Sequence, residues 1–173
     1  MSIGANDRTL PNWFTRVRLR QTVLPRFQRF GDAWGHASVA QLFNTILQDL
    51  PVGAVLVLEV GDHQPFEWRT IKGAPTTGER VTEHLLDGQQ RLTALWRGLN
   101  NNYDDRTYFV VLGPDDETGM PYHVDSIARW KKDKERRPLW ADQPKEQWKG
   151  TDERKGRMIR VWLLWNDAPG GGI

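Results

Sequence analysis

The sequence predicts a protein of the mixed α/β (α+β) class, a single domain with helices and strands around one core. Three observations support this class. An amphipathic helix is predicted at 38–50, a nearly continuous apolar run of strand length follows at 52–60, and a second amphipathic helix begins after the polar segment 87–91. At 173 residues, the chain has the length of one compact domain.

The first predicted helix has a clear apolar stripe. Its apolar residues recur every three or four positions, at Val39, Leu42, Phe43, Ile46, Leu47 and Leu50. Ser38 with Gln41 forms the pattern of a capping box, and Pro51 is predicted to end the helix. The run VGAVLVLEV that follows has the composition of a strand covered on both faces. Residues 61–81 are rich in Gly, Pro and Thr, which is typical of a long loop.

The second predicted helix and the strands after it complete the α/β pattern. Trp96 falls on the apolar face of that helix and is predicted to be a core residue, and the asparagines at 100–102 are predicted to end the helix. Thr107–Leu112 and Pro121–Val124 are predicted to be a strand pair around an acidic turn, and Arg160–Trp165 a last strand.

The net charge of the whole chain is only +2, but residues 126–160 hold twelve basic and six acidic residues. We predict a helix there with Ser126 as its N-cap, so that 1–125 is the main domain and 126–173 a basic helical extension that ends in a strand and a tail. Two interpretations of the extension stay open. It is a solvated helix face, or it is a surface that tracks DNA phosphates. The DNA-contacting candidates are Lys131, Lys132, Lys134, Arg136 and Arg137.

Composition excludes several kinds of site. The absence of cysteine excludes disulfides, thiol nucleophiles and cysteine zinc sites. No apolar run approaches the roughly 18 residues of a membrane span, and the N-terminus has no apolar signal segment, so we expect a cytoplasmic protein without a membrane partner. The histidines at 36, 63, 84 and 123 are scattered, and we interpret them as surface or loop residues rather than metal ligands.

The segment 87–91 (DGQQR) lies at a predicted turn from a strand into a helix. The first N–H groups of a helix lack intrahelical partners and attract anions. Gly88 allows close backbone approach, and Arg91 can present a planar fork to phosphate oxygens. Asp87 could cap the helix, hold a cation or orient the arginine, and the two glutamines could orient a ligand or a water. The alternative is that Asp87 only caps the helix and Arg91 is solvated.

Leu85–Leu95 reads LLDGQQRLTAL, and this stretch resembles the signature of the GmrSD-type N-terminal domain family, the DGQQR domains of modification-dependent restriction and anti-phage proteins. A second family element, Pro-x-x-Gln-Arg followed by a tryptophan, is present at 25–34. The resemblance covers about Leu24–Leu99 and extends more loosely to Trp165.

The resemblance implies a ParB/sulfiredoxin-like fold that binds a nucleoside triphosphate with Mg²⁺ and, in some members, hydrolyses it. By the family motif, the catalytic residues are Asp87, Gln90 and Arg91, and Asp87 is the candidate Mg²⁺ ligand. The implied nucleotide-binding residues are Gln28, Arg29, Gly88, Gln89 and Arg91.

The implied role is a sensor that controls a DNA-cleaving partner in restriction or anti-phage defence. Many members continue into an HNH-type nuclease domain, and no such pattern occurs in this sequence. We therefore expect the nuclease to be a domain or subunit absent from this chain, which resembles an isolated or truncated module. Two alternatives stay open: a non-catalytic module that binds DNA phosphate or a modified base, and a degenerate fragment.

Overall fold

The computed structural model describes residues 4–28, 34–112, 119–128 and 158–161. In chain order these residues form α1 (Leu10–Arg18), β1 (Thr22–Pro25), α2 (His36–Leu47), β2 (Leu56–Glu59), β3 (Trp68–Arg69), β4 (Glu83–Asp87), α3 (Gln89–Leu99), β5 (Arg106–Leu112), β6 (Tyr122–Ala128) and β7 (Met158–Arg160). This content confirms the mixed α/β class. Contacts divide the chain into two compact units, 1–33 with 53–96 and 34–52 with 97–173.

The first unit is built on a four-stranded sheet in the order β2-β4-β1-β3. The two central strands, β1 and β4, are parallel, while β2 and β3 are antiparallel edge strands. Val23, Leu24 and Leu85 on the central strands are fully buried. The core of this unit therefore lies on β1 and β4, and parallel pairing places the carboxyl ends of both strands at the same edge of the sheet.

Helix α1 precedes this sheet and was not predicted from the sequence. It has Pro11 in its first turn, where the missing N–H of proline costs no hydrogen bond. Only Phe14 and Val17 of α1 are buried, so the apolar stripe is too narrow to be recognised. Phe14 packs edge-on against Trp96, with ring centroids 5.1 Å apart, and Trp96 is 4% exposed. The prediction that Trp96 is a core residue is confirmed.

The buried carboxylate of Glu83 joins three segments of the first unit. Glu83 is the first residue of β4 and is 1% exposed. Its Oε1 accepts hydrogen bonds from Arg8 Nη1 at 2.7 Å and from the hydroxyl of Thr22 on β1, and its Oε2 accepts one from Arg16 Nη1 of α1 at 3.4 Å. A buried carboxylate without such partners would be strongly destabilising. Glu83 thus links β4 to three parts of the chain, which are the segment before α1, α1 itself and β1.

His84, the next residue of β4, is also fully buried. Its Nε2 lies 2.8 Å from Oε1 of Gln64, and its ring stands edge-on to Phe66. Its Nδ1 has no hydrogen-bond partner in the described part of the chain. Desolvation by burial lowers the pKa of the imidazole. The interpretation of His84 as a surface or loop residue was wrong, because the residue lies on a central strand.

The strand expected to be covered on both faces at 52–60 is shorter and more exposed than predicted. β2 contains only Leu56–Glu59, and among the described strands it pairs with β4 alone. Leu56 is 53% exposed. The prediction of burial on both faces was wrong because an apolar composition does not distinguish an edge strand from a central one. Residues 53–55 form a loop instead of the start of the strand.

The second unit contains a three-stranded sheet in the order β6-β5-β7, with α2 packed against β6. The amide N–H of Val124 donates to Oδ1 of Asn44 at 2.6 Å, and the hydroxyl of Tyr122 donates to the carbonyl of Leu47 at 2.9 Å. β5 and β6 pair in antiparallel register, with Val110 opposite Val124. The predicted strand pair is confirmed, while most of its acidic turn lies outside the described residues.

The prediction of Ser126 as a helix N-cap was wrong. β6 continues to Ala128, and the hydroxyl of Ser126 accepts a hydrogen bond from Arg106 Nη1 at 3.1 Å. The expected boundary between 125 and 126 falls inside this strand. β7 overlaps the predicted last strand only at Arg160. Val161 is buried but is not part of β7. Residues 162–165 of that predicted strand, and residues 129–157, where the basic helix is predicted, lie outside the described residues.

All three described helices end in the same way. The residues at 20, 49 and 101 adopt left-handed backbone conformations, with φ of 63°, 54° and 51°. At the end of α2, Asp49 N–H donates to the carbonyl of Ile46 and Leu50 N–H donates to the carbonyl of Thr45, both at 3.0 Å. This is the pattern of a Schellman motif. Equivalent pairs close α1 and α3, and the asparagine cluster ends α3 as predicted.

The predicted ends of α2 were both wrong. The helix begins at His36 with Gly35 as its N-cap, and no side-chain capping bond is present. Ser38 is the third residue of the helix, so the capping box does not form. The left-handed Asp49 ends the helix before Pro51 is reached. None of the described helices is long and apolar enough to cross a membrane.

Asp49→Gly is expected to raise the free energy of unfolding by about 0.5–1 kcal/mol, because a left-handed backbone is strained for an L-residue and not for glycine. The melting temperature should rise by about 1–4 °C for a chain of this size. Asn101→Gly is the matched control and should gain less, since asparagine tolerates this conformation. Calorimetry or thermal circular dichroism measures both changes. A lower melting temperature for Asp49→Gly would contradict the assignment of strain.

The stability of the protein should fall as the pH drops below about 6.5, the pKa of histidine in an unfolded chain. Burial lowers the pKa of His84 in the folded state, so the unfolded state binds the proton first. The His84 contribution is complete above pH 6.5 and is lost as the pH falls toward the folded-state pKa. Urea unfolding between pH 7.5 and 5 gives the free energy of unfolding at each pH. This free energy should change less with pH in His84→Leu than in the wild type. His63→Gln, at an exposed loop residue, should show the pH dependence of the wild type.

Candidate functional site

The segment 87–91 forms the turn between β4 and α3, which confirms its predicted position. Asp87 is the last residue of β4, and α3 begins at Gln89. Gly88 between them has a φ of +87°, and a Cβ built on it would lie 3.0 Å from Cγ2 of Val55. A larger residue would therefore meet both backbone strain and a close neighbour. The turn directs the start of α3, with its partial positive charge, to the carboxyl end of β4.

Arg91 folds back over the start of α3. Its Nη2 donates to the carbonyl of Ala54 at 2.7 Å and lies 3.5 Å from Oδ2 of Asp87. The side chain of Arg91 is 21% exposed and that of Asp87 is 73% exposed. Arg91 is thus held by the protein rather than extended into water, with a carboxylate beside it. Asp87 and Arg91 are four residues apart in the chain, and their side chains meet at the exposed end of β4.

Gln28 brings the upstream sequence element to the same place. Its Nε2 donates to the carbonyls of Leu85 and Leu86, at 2.9 and 2.8 Å. Since Leu86 directly precedes Asp87, the amide of Gln28 lies beside the 87–91 turn. Its Oε1 is buried and has no hydrogen-bond partner within the described ranges. The structure therefore joins two elements that lie almost sixty residues apart in the chain.

The other predicted site residues are placed only in part. Gln89 and Gln90 are half-buried in the first turn of α3. Arg29 lies outside the described residues, and so do the DNA-contacting candidates Lys131, Lys132, Lys134, Arg136 and Arg137.

The carboxylate of Asp87 fits one mode of magnesium binding. In the described residues, no group of three or more His, Asp or Glu side chains is arranged to hold a metal ion. Mg²⁺ is commonly held by only one or two carboxylates together with substrate phosphates. An exposed carboxylate beside the first turn of a helix, where the free N–H groups attract anions, suits this mode. Asp87 would then be the protein ligand of a metal ion that arrives with the nucleotide.

A cavity of 330 Å³ opens at the other end of β4, away from the 87–91 turn. It is lined by Arg16, Gln21, Glu59, Val60, Thr82 and Glu83. No predicted site residue belongs to this lining. The candidate site is therefore an exposed strand-to-helix turn and not this cavity.

The loop at 53–55 also contacts the site, and the sequence did not predict this. The carbonyl of Ala54 accepts a hydrogen bond from Arg91, and the side chain of Val55 faces Gly88. Both residues lie within the apolar run 52–60, which predicts a strand. The one signal available was Gly53, because a glycine within a strand pattern often marks a close approach of the backbone to another group.

Comparison with known families shows the family to which the chain belongs. The sequence model of the GmrSD restriction endonuclease, N-terminal domain, matches residues 11–160. No curated protein matches the chain. The matched region covers most of the chain and includes Gln28 and the 87–91 turn. The chain therefore belongs to the family of GmrSD restriction endonuclease N-terminal domains, as the sequence motifs predicted.

Proposed function

We propose that this chain binds a nucleoside triphosphate at the 87–91 turn, hydrolyses it, and thereby regulates a DNA-cleaving partner in a restriction or anti-phage system. Family membership associates the chain with restriction. The observation that carries the proposal is the position of Arg91, whose guanidinium lies over the start of α3 beside Asp87. A cationic fork and a helix start at one turn suit a polyphosphate.

Phosphate binding at this turn uses two kinds of donor. The N–H groups at the start of α3 and the helix dipole attract the negative charge. The Arg91 guanidinium adds charge-assisted hydrogen bonds to phosphate oxygens. Gly88 lets the turn adopt its positive φ while the side chain of Val55 packs against it, which a residue with a Cβ would prevent. Gln28 holds the end of β4 in place through the carbonyls of Leu85 and Leu86.

Hydrolysis at this turn depends on charge neutralisation and on the position of the attacking water. Phosphoryl transfer needs little covalent chemistry from a protein. Arg91 would neutralise charge that develops on the phosphate oxygens. Gln90, in the first turn of α3, would orient the water. When bound, Mg²⁺ held by Asp87 supplies further neutralisation of the phosphates.

The proposed partners follow from the family. An N-terminal domain of a restriction endonuclease is expected to act with a nuclease domain or subunit, here outside this chain, and on DNA that can carry modified bases. Nucleotide binding or turnover would decide when that nuclease cuts. The basic candidates between 131 and 137 would contact the DNA backbone.

The first test is calorimetric binding and phosphate release with ATP, GTP, CTP and UTP in the presence of Mg²⁺. Arg91→Ala is expected to weaken nucleotide binding by about 10- to 100-fold, the range for losing a charge-assisted hydrogen-bonding group. Arg80→Ala is the matched control, because Arg80 is exposed and pairs with Asp62 rather than with the turn. It should bind nucleotide as the wild type does.

Equal affinities of Arg91→Ala and wild type, both folded, would contradict the phosphate role of Arg91. Failure of the wild type to bind any of the four nucleotides would contradict the proposed function. Strongly salt-dependent DNA binding in that case would favour the DNA-binding alternative.

A second variant separates binding from hydrolysis. Asp87→Asn removes the candidate Mg²⁺ ligand while keeping the size of the side chain. We expect turnover to fall by about 100-fold or more, whereas Mg²⁺-free nucleotide affinity should be unchanged or higher because a negative charge is lost. Phosphate release across a Mg²⁺ titration measures the first effect, and calorimetry in chelator the second. Asp62→Asn, at an exposed residue, serves as the control, and wild-type turnover in Asp87→Asn would exclude a catalytic role for Asp87.

A further inference from the structure

The backbone of Gly53 lies directly against the guanidinium of Arg91. A Cβ built on Gly53 would lie 2.1 Å from Nη1 and 3.3 Å from Cζ of Arg91. Carbon atoms do not approach a nitrogen this closely without a bond. Gly53 also has a φ of +89°, a conformation that favours glycine. Only glycine at this position allows the guanidinium to lie where it is found.

The next two residues of the loop also contact the 87–91 segment. The carbonyl of Ala54 accepts the hydrogen bond from Nη2 of Arg91 at 2.7 Å, a short distance that is typical of a charge-assisted bond. The side chain of Val55 faces the open side of Gly88. Three consecutive loop residues therefore meet the 87–91 segment, and two of them define where the Arg91 guanidinium lies.

We infer that Gly53 is a positioning residue for the anion site, acting through Arg91. Arginine is a long side chain that loses much rotamer freedom when it binds a ligand. A guanidinium already fixed beside the helix start binds an anion without that loss. Side chains of a helix lean toward its N-terminus, so Arg91 reaches the start of α3 in this arrangement. This inference rests on the proposed function for its ligand.

The loop could either hold Arg91 in place for anion binding or keep it from binding an anion. The direction of the change in anion affinity when the loop is altered distinguishes these two roles. If Gly53 and Ala54 position Arg91, a displaced guanidinium binds anions more weakly. If the contact with Ala54 instead blocked Arg91, its release would strengthen anion binding. The structure favours support, because the Ala54 carbonyl and the backbone of Gly53 hold the guanidinium beside the first turn of α3, whose free N–H groups attract anions.

Gly53→Ala is the direct test, with inorganic tripolyphosphate and Mg²⁺ as the probe in calorimetry. We expect about a 10-fold loss of affinity, similar to the loss in Arg91→Ala. The melting temperature should fall by a few degrees from backbone strain, with the fold retained. Gly53→Asn is a second variant, since asparagine tolerates a positive φ better but still carries a Cβ. Gly61→Ala is the matched control, because a Cβ there meets nothing within 4 Å.

The double variant Gly53→Ala/Arg91→Ala shows whether Gly53 acts through Arg91. We expect it to bind tripolyphosphate as Arg91→Ala does, with no further loss. An additional loss in the double variant would mean that Gly53 acts by general distortion, and this would overturn the inference. Unchanged or tighter binding in Gly53→Ala alone would overturn it as well.

A measurement without any ligand separates this inference from the proposed function. The side-chain ¹⁵N resonance of Arg91, assigned with Arg91→Lys, should report an ordered guanidinium in the wild type and a mobile one in Gly53→Ala and Gly53→Asn. An equally ordered guanidinium in all three proteins would overturn the positioning role. Absence of tripolyphosphate binding in the wild type, with the expected resonances, would reject the anion site and leave the positioning of Arg91 by Gly53 established.

Discussion

The buried carboxylate of Glu83 is the interaction on which the first unit depends. Two arginines and a threonine converge on it, and they come from α1, the segment before α1, and β1. This fixes β1 beside β4 in parallel register. Because the carboxyl ends of parallel strands lie at one edge of the sheet, Gln28 after β1 contacts the carbonyls of Leu85 and Leu86, next to Asp87 at the end of β4. At about 3.3 Å per residue, the site lies only about 13 Å from Glu83.

The spacing of apolar residues predicted the helices and strands that have one clear apolar face and missed those that do not. The helices α2 and α3 carry apolar stripes wide enough to recognise, and the β5–β6 pair follows from two apolar runs around a turn. Glu83 and His84 escaped recognition because polar residues on a central strand are satisfied by partners far away in the chain. Burial of such residues depends on tertiary contacts that no local pattern contains.

The position of the candidate site was predicted from the sequence, but most of its long-range contacts were not. A glycine between a short apolar run and a periodic helix placed 87–91 at a strand-to-helix turn. The contact of Gln28 with the carbonyls of Leu85 and Leu86 does not follow from spacing, and only the family resemblance suggested it. Neither spacing nor the family resemblance suggested the contact between Ala54 and Arg91, because the apolar run around Ala54 indicated a strand.

The exposed edge strand β2 has a consequence for work with the isolated chain. Within the described residues no strand pairs with its outer side, Leu56 is 53% exposed, and Glu59 is its single charged residue. Sheet edges of this composition recruit strands from other molecules and lead to aggregation, which natural proteins oppose with lysine or proline. A lysine in place of Leu56 is therefore the substitution that would best protect concentrated samples from self-association.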